Sequence, residues 1–189
     1  EKIFGESLIG KSKKPTSRIG CLPENPTALP TALDAIKEAD LIVLGPGSLY
    51  TSLLPNLLVP DIVEALLKSD APKIYISNLM TQPGETDGLD VYQHIKSIEK
   101  QLLNFGVNKR IFNAILSQIE FEESSLIDYY RSRGAEPVIC DKRKLISEGY
   151  YVLQAPLYAR RITPTLRHDS RRLSRAVMFL YRKIKKVNQ

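Results

Sequence analysis

The chain has 189 residues, 43% of them hydrophobic and 25% charged, with a formal charge of +6. That composition excludes a disordered chain and is ample for one domain with its own core. No apolar run approaches the roughly 20 residues of a membrane-spanning helix, and the first residues lack signal-peptide architecture. The chain opens on Glu1 rather than Met, so a piece of a longer protein is expected. Cys21 and Cys140 form no CxxC pair and read as reduced packing residues. With only His94 and His168 besides, neither at ligand spacing from a cysteine, no metal site is predicted.

The first thirty residues read as short extended pieces and loops, with a polar linker at 11–17 and breaks at Pro23, Pro26 and Pro30. Thr31 and Asp34 have capping-box spacing for a helix reaching Ala39. The continuous apolar run Leu41–Leu44 suits a strand buried on both faces, as in a parallel sheet. Gly45-Pro46-Gly47-Ser48 ends it. Pro60 and Asp61 then open a helix, with Ile62, Val63, Leu66 and Leu67 on its apolar face.

A second unit repeats the plan. The strand 73–77 runs into a loop spanning Asn78 to Gly88. A helix capped by Asp90 follows, buries Val91, Ile95, Ile98 and Leu102, and ends at Gly106. His94 falls among polar residues and is expected to be solvated. Strands are predicted over 110–116, 137–140 and 150–154, and helices over 122–133 and from Asp169 to about Lys186. Alternating strands and helices predict an α/β fold with a mainly parallel sheet.

Charge is concentrated in the last helix. Between Arg167 and Gln189 eight basic residues face the single acid Asp169, a segment charge of +7, so the rest of the chain is nearly neutral. The stripe Leu173, Val177, Leu180 and Ile184 predicts that this helix docks on the sheet. Phe179 and Tyr181 are too few for a base-stacking platform, and no nucleic-acid partner is expected.

Ligands of open α/β sheets bind beyond the carboxyl ends of the strands. In the first such loop, glycines Gly45 and Gly47 allow close backbone approach. Amides near a helix start, with the hydroxyls of Ser48, Thr51 and Ser52, form a cradle for phosphate or carboxylate. It has no lysine and is not a Walker A loop. In the second loop, Asn78, Thr81, Gln82, Glu85, Thr86 and Asp87 offer hydrogen-bonding groups around a Pro83-Gly84 turn. Arg167, His168 and Asp169 are a third candidate: a phosphate fork, a group titrating near neutrality and a helix cap. Tyr130 either packs on the sheet or stacks on a base.

Two long motifs carry a family resemblance: Ala39–Ser52 with Leu54-Pro55-Asn56-Leu57-Leu58-Val59, and Asn78–Thr86. Gly5-Glu6-Ser7 and Arg167-His168-Asp169 fall where the same family has these tripeptides. The chain resembles the bacterial gluconeogenesis factors, the YvcK or CofD-like family related to 2-phospho-L-lactate transferase. The resemblance implies a cytoplasmic, Rossmann-like α/β sandwich. It also implies that residues 1–189 are the C-terminal part of a single domain whose N-terminal Gly-rich part is absent, so the fold here is incomplete. The implied ligand is a nucleotide-type small molecule, a UDP-sugar such as UDP-N-acetylglucosamine, in a regulatory factor for gluconeogenic growth and cell shape. The alternative is a phospholactyl-type transferase, and only that reading calls for a cofactor, Mg²⁺. Tyr130 and Arg167 fall near the positions the family uses for UDP-sugar contacts. The candidate nucleotide and phosphate contacts are thus Gly45, Pro46, Gly47, Ser48, Tyr50, Thr51, Asn78, Thr81, Gln82, Gly84, Glu85, Thr86, Tyr130 and Arg167, with His168 and Asp169 as secondary candidates. A homo-oligomer is compatible with this reading.

Overall fold

The computed structural model describes residues 2–9, 11, 16, 18–122, 124–158 and 165–187. Most of the predicted linker at 11–17 lies outside them. Among the described residues four parallel strands form one sheet: β1 (Ile42–Leu44), β2 (Lys73–Ile76), β3 (Ala114–Gln118) and β4 (Tyr151–Ala155), in the order β1-β2-β3-β4. The α/β parallel-sheet prediction holds. Register aligns Val43 with Ile74, Ile74 with Ala114, and Ala114 with Tyr151.

The helices are α1 (Glu6–Ile9), α2 (Pro30–Glu38), α3 (Pro60–Lys68), α4 (Val91–Leu103), α5 (Ser125–Arg131), α6 (Lys142–Ser147) and α7 (Ser170–Val187). Side chains alternate across the strands, so the sheet has two cores. Tyr75, Ile115 and Val152 pack with Val63 and Leu66 of α3, with Val91, Ile95, Ile98 and Leu102 of α4, and with Leu145 of α6. Ile74, Ile76, Ala114 and Leu116 pack on the other face with Ile127 of α5 and with Ala176, Leu180 and Ile184 of α7. The stripe foreseen on α7 thus docks on the sheet, as expected, with Leu173 and Val177 half-buried beside it. Among the described residues no helix is long and apolar enough to cross a membrane.

Several local expectations change. The α2 helix starts at Pro30 with Leu29 as its cap residue and no side-chain cap, because proline takes the first helical position and displaces Thr31 from the cap. The third strand begins at Ala114 rather than at 110. Asn113 precedes it, its amide donating to the Lys73 carbonyl (2.8 Å) and its side-chain oxygen accepting from the Lys73 amide (2.8 Å). Residues 137–140 form no strand. Pro137 makes a lone antiparallel bridge with Met80, and with no N–H to donate it does not extend a ladder. The α6 helix was not foreseen. It is short, and Asp141 caps it through the Lys144 amide (3.0 Å).

The α4 prediction is correct in its cap and its stripe. Asp90 and Gln93 form a reciprocal capping box. His94 is the correction: it is fully buried, with Nδ1 2.7 Å from the Asp90 carbonyl oxygen. Position 94 lies one turn from Val91 and from Ile98, so it shares their buried face. Cys21 and Cys140 are both free and half-buried.

Candidate functional site

The strand β1 ends on a sharp bend. Gly45 has φ +97°, and a Cβ there would lie 2.5 Å from the Ile76 carbonyl oxygen at the end of β2. Only glycine lets the chain turn at this height above its neighbour. The Gly45–Pro46 peptide is cis. A π-helical turn, Leu49–Leu53, follows and passes into a 3₁₀ turn, Leu54–Leu58. Sequence periodicity foresaw neither turn. π-Helical turns are rare and are enriched at functional sites. The amides of Ser52 and Leu53 both donate to the Ser48 carbonyl (2.9 Å each).

The two loops after β1 and β2 are joined directly. The Gly47 amide donates to Asn78 Oδ1 (3.1 Å), and Asn78 Nδ2 donates to the Gly47 carbonyl (2.9 Å). Gln82 Nε2 donates to Ser48 Oγ (2.7 Å). The loops meet because β1 and β2 are adjacent. The described strands run in sequence order, so among them there is no reversal of strand order at this junction.

The second loop is rigid for identifiable reasons. Thr81 Oγ1 accepts from the Glu136 amide and Thr86 Oγ1 from the Gln82 amide (2.8 Å each), and both threonines are buried. The Gly84 amide donates to Asp87 Oδ2 (2.7 Å). Thr86 therefore holds the loop's own backbone, and Thr81 ties the loop to the segment at Glu136. Glu85 is half-buried within it. Tyr50 is buried in the core beneath the bend, Thr51 is half-buried, and Pro46 is exposed.

The third motif reaches the same end of the sheet. His168 hydrogen-bonds the Ser77 backbone, one residue before Asn78. Burial lowers the pKa of its imidazole, and the bond to Ser77 offsets this in part. Asp169 Oδ1 accepts from the Arg172 amide (2.9 Å), so it caps α7 as its position predicts. Tyr130 is half-buried against the second core, and its hydroxyl accepts from the Leu166 amide (2.8 Å), one residue before the exposed Arg167. That bond brings Tyr130 alongside Arg167.

Sequence reasoning passed over Ser77. Its hydroxyl is buried without a partner among the described residues, as are Gln82 Oε1 and His168 Nε2. Buried polar atoms are nearly always satisfied, so three such atoms beside the junction mark a place where a ligand or ordered water completes the bonding. Strand register could have flagged Ser77, because it is the first residue past the end of β2 on the Tyr75 face. Among the described residues no group of three or more His, Cys, Asp or Glu could hold a metal ion.

A glycine bend, a π-helical turn and an Arg-His-Asp segment meet at the carboxyl ends of a parallel sheet, the end at which open α/β proteins bind their ligands. The model of the 2-phospho-L-lactate transferase CofD family matches residues 1–158, and the chain belongs to that family. It is 41% identical over 182 residues to the gluconeogenesis factor of Halalkalibacterium halodurans, covering 93% of this chain and 53% of that protein. It is 37% identical over 172 residues to the gluconeogenesis factor of Bacillus subtilis, covering 91% of this chain and 52% of that protein. A crystal structure of a Bacillus halodurans protein of the UPF0052 family superposes with a TM-score of 0.84 at 40% identity, over 93% of this chain and 55% of that one. The chain thus spans about half the length of these relatives.

Proposed function

We propose that the protein is a nucleotide-sugar-binding regulatory factor of gluconeogenic growth and cell shape, with a UDP-sugar such as UDP-N-acetylglucosamine as its ligand. The observation that carries this reading is the meeting of the Gly45–Ser48 bend, the Asn78–Gln82 segment and the Arg167-His168 pair at one end of the sheet. The pyrophosphate rests against the bend and the guanidinium of Arg167, where backbone amides and a planar fork favour phosphate oxygens. In this reading Tyr130, tethered next to Arg167 by its bond to the Leu166 amide, contacts the uridine or sugar. Ser77, Gln82 and His168 supply the buried polar atoms that still lack partners. Likeness to two proteins named gluconeogenesis factors supports the link to gluconeogenic growth.

Isothermal titration of the complete protein with UDP-N-acetylglucosamine tests this. Saturable heat is expected, weakened at least tenfold by Arg167→Ala. Absence of heat at millimolar ligand, from protein shown to be folded, removes the proposal. A second reading, a phospholactyl-type transferase, is supported by the name of the matching family model. In that reading Mg²⁺ assists while Arg167 and the bend stabilise the transferring phosphate. Incubation with phospholactyl-guanosine dinucleotide, a deazaflavin acceptor and Mg²⁺, followed by mass spectrometry, separates the two: transferred product favours the enzyme.

A further inference from the structure

At the opposite end of the sheet, where β2, β3 and β4 begin, lies a cavity of about 430 Å³. Three cationic side chains line it, Lys73, Lys109 and Arg110, and no carboxylate does. Lys73 is 9% exposed, and its ammonium donates to the carbonyls of Ser69 (2.6 Å) and Ala71 (3.1 Å), which leaves one of its three protons uncommitted. Buried lysines are rare unless paired, and among the described residues Lys73 has no ion pair. Burial lowers the pKa of its ammonium. Nearby Asp70, outside the lining, opposes this, and the Lys109 charge adds to it.

Arg110 is held in place from two sides. Its guanidinium lies 5.2 Å from the Tyr150 ring centroid, and a Cβ on Gly149 would come 2.5 Å from one of its terminal nitrogens. The glycine leaves the room the guanidinium occupies. Asn113 places its side-chain oxygen on the Lys73 amide, which leaves its NH₂ as a further donor at the cavity wall. Leu66 and Phe112 provide an apolar side. Three positive charges, an amide donor and an apolar wall together suit a phosphate group carried on a small organic body.

We propose that this cavity is a second anion site, separate from the glycine-bend site, and that it binds a phosphorylated small molecule. Its position at the opposite end of the sheet means that its occupant does not compete with the nucleotide for space. Lys109 and Arg110 are exposed, so replacing them leaves the core intact. The test titrates the complete protein and its Lys109→Ala/Arg110→Ala variant with pyrophosphate, a hexose phosphate and UDP-N-acetylglucosamine. The parent is expected to bind at least one of the first two, and the variant to bind it at least tenfold more weakly with unchanged nucleotide-sugar affinity and thermal midpoint. Preference for the hexose phosphate identifies a metabolite as the occupant, and preference for pyrophosphate identifies the inorganic anion. No binding of either by the parent, equal binding by the variant, or parallel loss of the nucleotide-sugar overturns the proposal.

Discussion

Gly45 shows how much a single position can decide. Its positive φ and the closeness of the Ile76 carbonyl make any side chain there collide with backbone, which cannot swing aside as a side-chain tip can. Gly45→Ala is therefore expected to cost about 1–3 kcal/mol, the range for strained backbone, and to abolish UDP-N-acetylglucosamine binding. Urea denaturation and titration of the same variant read the two effects. A stable, fully binding variant would show that the bend is dispensable. The need for glycine here was legible, because Gly-Pro-Gly after a buried strand has few other uses. The roles of the polar residues facing it were not. Asn78, Thr81 and Thr86 look like ligand contacts in one dimension. In the fold, Asn78 clamps Gly47, the Thr86 hydroxyl accepts from the Gln82 amide of its own loop, and the Thr81 hydroxyl accepts from the Glu136 amide of the segment after α5. A side chain that bonds a ligand and one that bonds a neighbouring loop leave the same trace in sequence.

Among the elements, α4 was the most fully legible, because its cap and apolar repeat are both local. Its one surprise carries a pH consequence. Burial lowers the folded-state pKa of His94, with the Asp90 carbonyl opposing in part, and His168 shifts the same way. The unfolded chain then binds protons more readily than the folded one. The associated stability is complete above the ordinary histidine value, about 6.5, and is lost as pH falls below it. Thermal melts between pH 8 and 5 should show the midpoint falling on the acid side, with a shallower fall in His94→Gln. Identical pH profiles for the two proteins would exclude His94 as a contributor. Aromatic and polar neighbours disguised this histidine: Tyr92, Gln93, Lys96 and Ser97 surround it in sequence while Val91 and Ile98 share its face.

For the whole molecule, the two-faced sheet makes α7 a structural element as well as a basic surface. Leu180 is fully buried against Ile74, Ile76 and Leu116, the opposite side of the sheet from α3, α4 and α6. Leu180→Ala should cost about 2–5 kcal/mol by leaving a cavity, whereas exposed Arg182→Ala should stay within about 0.5 kcal/mol. Chemical denaturation of both variants checks this. Equal, small losses would mean that α7 does not hold the second core. The charge of this helix sits on its outer side, and for that reason a net charge of +6 said little about the sheet or its ligand end.

Local physics was enough to establish the α/β class, the parallel sheet, the α4 and α7 stripes, the Asp90 and Asp169 caps and the glycine bend, because each depends on residues within a turn or two of one another. Tertiary structure alone decided that His168 would reach Ser77, that Asn78 would lock Gly47, and that Lys73, Lys109 and Arg110 would converge behind the strands. Those meetings depend on strand order and register, which bring together residues separated by tens of positions, and no short-range pattern of hydrophobicity or charge encodes them.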